Sequence, residues 1–296
     1  MENLRGAAFM VFAMFCFAVE DALIKQLSGT IPAGQVLGLI CLGGLIIFIA
    51  WSLIARIPLW HKDYLDPGVI ARSGCEVIGS CFFVSALALI PLTTASAVIQ
   101  ATPLVVAMAA SLFLGQPMGW RRWIAIIVGF CGVLLIIRPG MDGFIPATLL
   151  AVGGMLGLAA RDILTRKLDV DLTGVHFGIH AFAIVTPPAF LLPLVQGQML
   201  VWPQGREWVL LGCGVGIGTL AYLFIVAATR IGNAGIISSF RYSRMLFALI
   251  IGFVFFAERP DFPTILGATI IIASGIYTLW REARIHRASL AENPAL

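Results

Sequence analysis

Apolar residues in this chain come in long runs with the polar residues gathered between them. Ten stretches are long and apolar enough to cross a bilayer as helices, each near the ~20 residues that the hydrocarbon requires. They run approximately over 4–27, 33–55, 67–90, 92–115, 119–138, 144–163, 173–195, 206–229, 232–257 and 259–280. The two-residue alternation of a barrel strand is missing, since Ile124 to Ile137 is almost continuously apolar. The fold class expected is an all-α integral membrane protein. Its connections are too short for an added soluble domain.

The pattern also repeats, at an offset of about 142 positions. Residues 86–138 carry Ala86, Ile90-Pro91, an apolar span, Leu114-Gly115-Gln116-Pro117 and a second span with Gly129 and Gly132. Residues 228–280, led by Ala227, carry Ile231-Gly232, an apolar span, Phe256-Ala257-Glu258-Arg259 and a last span with Gly267 and Gly275. Five spans per half invert the second half relative to the first. Duplicated, inverted halves suit a carrier that rocks around a midplane site. The repeats are placed at 1–140 and 141–282, joined at Arg138-Pro139-Gly140-Met141-Asp142-Gly143, with 283–296 as a cytoplasmic tail.

Composition agrees: 60% of residues are hydrophobic, and 11% are charged where a soluble domain has about 25%. Mean hydropathy is +0.99. With a cytoplasmic N-terminus, eleven basic residues fall inside: Arg5, Arg56, Lys62, Arg121, Arg122, Arg166, Lys167, Arg230, Arg281, Arg284 and Arg287. Only Lys25, Arg138, Arg206 and Arg259 fall outside. The net charge of +4 then reflects cytoplasmic loops and implies no nucleic acid. The first stretch is too long for a signal peptide and carries Glu20 and Asp21. The six cysteines lie inside spans without Cys-x-x-Cys spacing, as small packing residues do.

Eight ionisable residues sit within or just inside the spans: Glu20, Asp21, Arg72, Glu76, Arg161, Asp162, Arg241 and Arg244. Each costs roughly 2.5 to 3.5 kcal/mol at a helix centre on insertion scales, which points to function. Four acids against four arginines can neutralise one another around a polar cavity and admit an anionic or zwitterionic group. Arg72 and Glu76 share a helix face and can pair within it. Arg241 and Arg244 also share a face, flanking Tyr242, and need compensation from elsewhere. Guanidinium groups bind carboxylates bidentately and stack on aromatic planes, so these three residues are the leading substrate contacts. Gln100, in the matching region of the first repeat, can both donate and accept. Glu20 and Asp21 are adjacent, so one is expected to face the cavity while the other pairs with Lys25. Arg161-Asp162, followed by Arg166 and Lys167, is read as an interfacial anchor.

Weaker signals complete the reading. His176 and His180 are four apart, as metal-sharing imidazoles are, but interhelical hydrogen bonding is the favoured role and no metal is expected. Gly212, Gly214, Gly216 and Gly218, and Gly153 with Gly157, allow close helix approach. None of the three lysines follows a P-loop spacing, and neither Gly-x-Ser-x-Gly nor His-Glu-x-x-His occurs, so no catalytic residues and no cofactor are expected. Movement is then passive, exchange, or ion-coupled, with Glu20, Asp21 and Glu76 as proton-coupling candidates.

The Ala...Ile-Pro...Leu-Phe-Leu-Gly-Gln stretch at 86–116 and Phe-Phe-Ala-Glu at 255–258 resemble the EamA family of the drug/metabolite transporter superfamily, across essentially the whole chain. Gln116 replaces the family's usual Glu, and Met245 stands where the second half often has Pro. The resemblance implies a cavity lined by the third, fourth, eighth and ninth spans, which adds Tyr222 to the candidates. Phe240-Arg241-Tyr242-Ser243-Arg244 and Gly157-Leu158-Ala159-Ala160-Arg161-Asp162 resemble a bacterial subgroup with riboflavin and S-adenosylmethionine uptake carriers. The expected function is secondary transport of a small polar metabolite across the inner membrane, by a monomer or homodimer. Riboflavin-like uptake stands first, ahead of S-adenosylmethionine uptake or amino-acid and metabolite export. A non-transporting membrane subunit is the rival from another class, and an intramembrane enzyme the third.

Overall fold

The computed structural model describes residues 2–113, 118–141, 143–168, 170, 172–230, 237 and 239–292, and these are helical with short links. The first half holds α1 (Glu2–Leu27), α2 (Ala33–Ile54), α3 (Pro67–Leu89), α4 (Leu92–Ile99), α5 (Thr102–Phe113) and α6 (Trp120–Ile137). The second holds α7 (Thr148–Lys167), α8 (Gly174–Val195), α9 (Gly205–Arg230), α10 (Ser243–Phe256) and α11 (Phe262–Glu292). With α4 and α5 taken as one crossing, nine segments among the described residues are long and apolar enough to span a membrane. The one further crossing, ninth in chain order, is α10, 14 residues long and entered through a 3₁₀ turn at Phe240–Tyr242. The segments 114–117 and 231–236 and residue 142, which carry parts of the two motifs and of the hinge, lie outside the described residues.

The outer surface is apolar: Ile54, Ile127, Leu134, Phe253 and Phe255 are all exposed, as a lipid-facing shell requires. Inside, the helices pair across the halves. The third crossing lies along the sixth (α3 on α7) and the first along the eighth (α1 on α9), which is one interface seen from both repeats. The second meets the seventh and the fifth meets the tenth, each a helix against its own counterpart. The halves are therefore interleaved around a pseudo-twofold axis, not set side by side. Glycines allow the closest crossings. A Cβ on Gly157 of α7 would stand 2.6 Å from the Cα of Gly79 on α3, and one on Gly132 of α6 would stand 2.7 Å from the carbonyl oxygen of Gly267 on α11.

Three expectations are refined. The fourth span is not continuous. Pro103 has no N–H for the carbonyl of Ile99; the Thr102 hydroxyl donates to that carbonyl instead, at 2.6 Å, and the chain breaks at Gln100-Ala101. The last apolar span ends at Arg281, near the expected 280, while its helix runs on to Glu292 through most of the expected tail. The glycine series on α9 is only half used in packing. Gly214 faces Ile40 and Gly218 faces Glu20, whereas Gly212 and Gly216 face open space.

The break between α3 and α4 shows how one half holds the other. Ile90 is extended before Pro91, leaving bare carbonyls at the end of α3 and bare N–H groups at the start of α4. Lys25 of α1 donates to the carbonyls of Ile90 (2.6 Å) and Leu87 (3.3 Å). Glu258, just past α10, accepts from the N–H groups of Leu92 (2.6 Å) and Thr93 (3.0 Å). Cation at a helix C-terminus and anion at an N-terminus both match the helix dipole, and the two side chains face each other at 3.9 Å. Lys25 is thus occupied by α3 and Glu258, so the expected pairing with Asp21 or Glu20 is overturned. On the same membrane face, Arg138 after α6 pairs with Asp261 before α11.

Candidate substrate site

Six of the eight interior charges neutralise one another in two groups. On α3 and α7, Arg72 donates to Glu76 at 2.7 Å, one helical turn on, and Arg161 donates to the other Glu76 oxygen at 3.1 Å. Arg161 also grips Asp162 through Nε (2.9 Å) and a terminal nitrogen (2.7 Å). Thr165 accepts from Nε of Arg72 at 3.2 Å, and Phe177 lies 5.2 Å from the guanidinium carbon. Arg161-Asp162 is therefore no interfacial anchor; Arg161 turns inward and bridges two helices.

The second group joins α1 to α10. Arg244 donates to both oxygens of Asp21, at 2.6 and 2.8 Å from one terminal nitrogen and 3.1 Å from Nε. Phe17 and Phe83 flank its guanidinium at 5.2 and 5.6 Å. Asp21 is only 3% exposed. A buried, hydrogen-bonded ion pair of this kind is costly to break, because either partner alone leaves a bare charge.

Two charges remain. Arg241, in the 3₁₀ turn ahead of α10, makes no side-chain hydrogen bond or ion pair among the described residues, although Asp162, Arg161 and Arg244 lie within electrostatic reach. Its backbone is held: Gln100, at the break between α4 and α5, donates to the Arg241 carbonyl at 3.2 Å. The two interrupted crossings, one from each repeat, thus meet at their irregular points. Glu20, one residue from Asp21, also has neither a hydrogen bond nor an ion pair among the described residues, and its carboxylate rests against Gly218 of α9.

The other sequence candidates lie elsewhere. Tyr242 is 4% exposed, and its hydroxyl, without a hydrogen-bond partner among the described residues, points at Gly275 of α11. In this conformation its ring is directed towards α11. Tyr222 packs edge-on to Phe48 and donates to the carbonyl of Gly174 at 3.3 Å, in an aromatic group with Phe182. Of the two histidines, His180 bonds to another helix, while His176 bonds to a link and to its own N-cap. Nδ1 of His180 meets Ser73 at 3.0 Å, and Nε2 of His176 meets the Pro58 carbonyl at 3.0 Å while its Nδ1 completes a capping box with Thr173. Tyr64 donates to the His176 carbonyl, its hydroxyl pushed up to about 12 by burial and so a neutral donor. No group of three metal-ligating side chains occurs among the described residues.

Sequence reasoning missed Thr165 and Phe177 around Arg72, Phe17 and Phe83 around Arg244, and the Lys25–Glu258 clamp. Polar or aromatic residues at helical spacing carry no mark of which neighbour they will face; only Lys25 and Glu258, as charges at span ends, offered a signal.

Comparison with known proteins gives the context. The S-adenosylmethionine uptake transporter of Rickettsia felis is 30% identical over 198 residues, 67% of this chain and 66% of the relative. The riboflavin transporter of Vibrio cholerae is 26% identical over 289 residues, covering 96% of each. The pseudopaline exporter CntI of Pseudomonas aeruginosa is 28% identical over 279 residues, 92% of this chain and 94% of the relative. A solved crystal structure, 18% identical, superposes with a TM-score of 0.63 over 92% of this chain and 98% of its own, which supports the fold. The profile of the EamA-like transporter family matches twice, at residues 4–138 and 145–280. With ten apolar crossings in two repeats and relatives that are transporters, not enzymes, the chain belongs to the EamA-like transporter family and is a multi-pass membrane carrier of a small metabolite.

Proposed function

We propose that this protein moves a small metabolite bearing an ionised carboxylate across the bacterial inner membrane, by alternating access, with Arg241 as its anchor. The observation that carries this is the spare guanidinium. Arg72, Arg161 and Arg244 are each bound to a carboxylate of the protein, while Arg241 is left facing the same interior with its backbone pinned by Gln100. An arginine binds a carboxylate through two parallel hydrogen bonds, and in a dry interior such a contact is selective because the unliganded charge is costly. The repeats 1–140 and 141–282 supply the two rocking units, both termini are cytoplasmic, the segment 283–296 ends there, and the unit acts as a monomer or homodimer.

S-adenosylmethionine, with a carboxylate and an aromatic base, moves ahead of riboflavin on this reading, because riboflavin is uncharged. Riboflavin uptake is the second reading, favoured by a relative that aligns over nearly the whole chain. Uptake of labelled S-adenosylmethionine and labelled riboflavin into cells expressing the protein decides between them. Accumulation of the first, lost in Arg241→Ala with membrane levels unchanged, is the expected result. Transport unaffected by Arg241→Ala would remove the anchor, and accumulation of riboflavin alone would reinstate the flavin.

A further inference from the structure

We propose that Glu20 is the proton carrier of this transporter, loading one proton for each carboxylate that Arg241 binds. The inference rests on the reading of Arg241 given above. Of the three carboxylates expected to exchange a proton, two are engaged: Asp21 by Arg244, and Glu76 by Arg72 and Arg161. Glu20 is held by no cation and no donor among the described residues. It lies so close to the backbone of α9 that a Cβ on Gly218 would overlap its Oε1. Glycine lets the helix approach but gives the carboxyl nothing, since the N–H groups in the middle of α9 are used within the helix. A bare negative charge in that setting is strongly disfavoured, and a proton removes it.

Among the described residues, the charged and titratable groups within reach of Glu20 are few. They are Asp21 and Cys16 on α1, Cys41 on α2 and Arg244 on α10, whose guanidinium is committed to Asp21. On α3, Glu76 shares Cys41 with Glu20 but is already bound by two arginines. α9 meets the Glu20 carboxylate at Gly218. No neighbour is therefore placed to neutralise Glu20 without first breaking an existing pair.

Charge counting ties Glu20 to Arg241. Asp21 with Arg244, and Glu76 and Asp162 with Arg72 and Arg161, each sum to zero. While Glu20 holds a proton, the interior carries one positive charge, at Arg241, and an anionic group cancels it. Once the substrate has left and the proton has followed, Glu20 and Arg241 cancel each other. Counting the protein's interior charges and the bound carboxylate, both forms that must cross the membrane are then neutral, which couples one proton to one carboxylate.

The test uses the full chain in proteoliposomes, with labelled S-adenosylmethionine and labelled riboflavin as probes. In the wild type an acidic outside accelerates accumulation. Glu20→Gln abolishes that response but keeps exchange of labelled for unlabelled probe at equal pH, which needs no net proton movement. Arg241→Ala loses both; if it keeps the exchange while Glu20→Gln still loses coupling, the substrate anchor is wrong and the proton site stands. A second readout needs no substrate: infrared difference spectra between about pH 5 and about pH 9 on protein in bilayers. A protonated-carboxyl band present in the wild type, absent in Glu20→Gln, restored in Glu20→Asp and shifted in Gly218→Ala is expected. The proposal is overturned if the wild type ignores the pH gradient, if Glu20→Gln still responds to it, or if the infrared band survives that substitution.

Discussion

The interfaces of α3 with α7 and of α1 with α9 are the same interface in two copies, yet they are filled with opposite chemistry. At the repeat offset of about 142 positions, Glu76 corresponds to Gly218, Arg72 to Gly214 and Asp162 to Glu20. In the first copy the facing positions are an arginine and an acid on each helix, locked by three hydrogen-bonded contacts. In the second, glycines on α9 face the isolated carboxylate of Glu20 and Ile40 of α2. One copy resists sliding, because a shift of α3 against α7 breaks the Arg161–Glu76 bridge and the hydrogen bond from Arg72 to Thr165 in a buried setting. The other offers a smooth backbone and one titratable group. Duplication fixed the packing of the two copies while the chemistry at matching positions diverged.

That contrast can be broken from its strong side first. Arg161→Ala leaves Asp162 without its bound cation and Glu76 with one arginine instead of two, and is expected to cost about 3–5 kcal/mol, read as a large fall in thermal stability in detergent. Gly218→Ala attacks the soft side. Its methyl group collides with the Glu20 carboxyl, with an expected cost of about 1–3 kcal/mol and a transport rate that falls further than protein yield. Thr102→Val removes the hydroxyl that satisfies the Ile99 carbonyl at the break between α4 and α5. A loss of about 1–3 kcal/mol is expected, and no loss would mean that the break is held by Pro103 and packing alone.

The smallest effect belongs to a pair outside both interfaces. Hydrogen bonds from Arg138 and then Thr264 hold the Asp261 carboxyl down at about 2. A carboxylate held below its unfolded value stabilises the fold above about pH 4 and loses that contribution as the pH falls towards about 2. Stability from this contact is therefore flat across neutral pH. Because Asp261 is half exposed, solvent screening limits Asp261→Asn to roughly 0.2–1 kcal/mol. A larger change in denaturation midpoint at neutral pH would give this contact a greater share in holding α6 to α11.

The crossings were legible in the sequence because bilayer thickness dictates them, and the pairing of Arg72 with Glu76 because helical spacing does. Asp21 and Arg244 were each visible as costly charges, but their partnership spans more than two hundred residues and no local pattern carries it. Lys25 shows the same limit: its spacing from Asp21 suits a pair, while its actual partners include carbonyls exposed by Pro91 in another helix. The direction of Tyr242 is not legible from its neighbours along the chain, because a 3₁₀ turn changes which way each side chain points. What singled out Glu20 and Arg241 was the satisfaction of everything around them, which only the assembled helices reveal.

The clamp at Pro91 has a mechanical consequence. The first amides of α4 are covered by a carboxylate that hangs from α10, so the beginning of one crossing is finished by the end of its counterpart. α4 cannot travel with the first repeat as a rigid rod unless Glu258 travels too or leaves two donors bare in an apolar layer. Whatever pulls α10 away on that face unwinds the lip of α4, which makes the seam between the repeats a latch built from backbone.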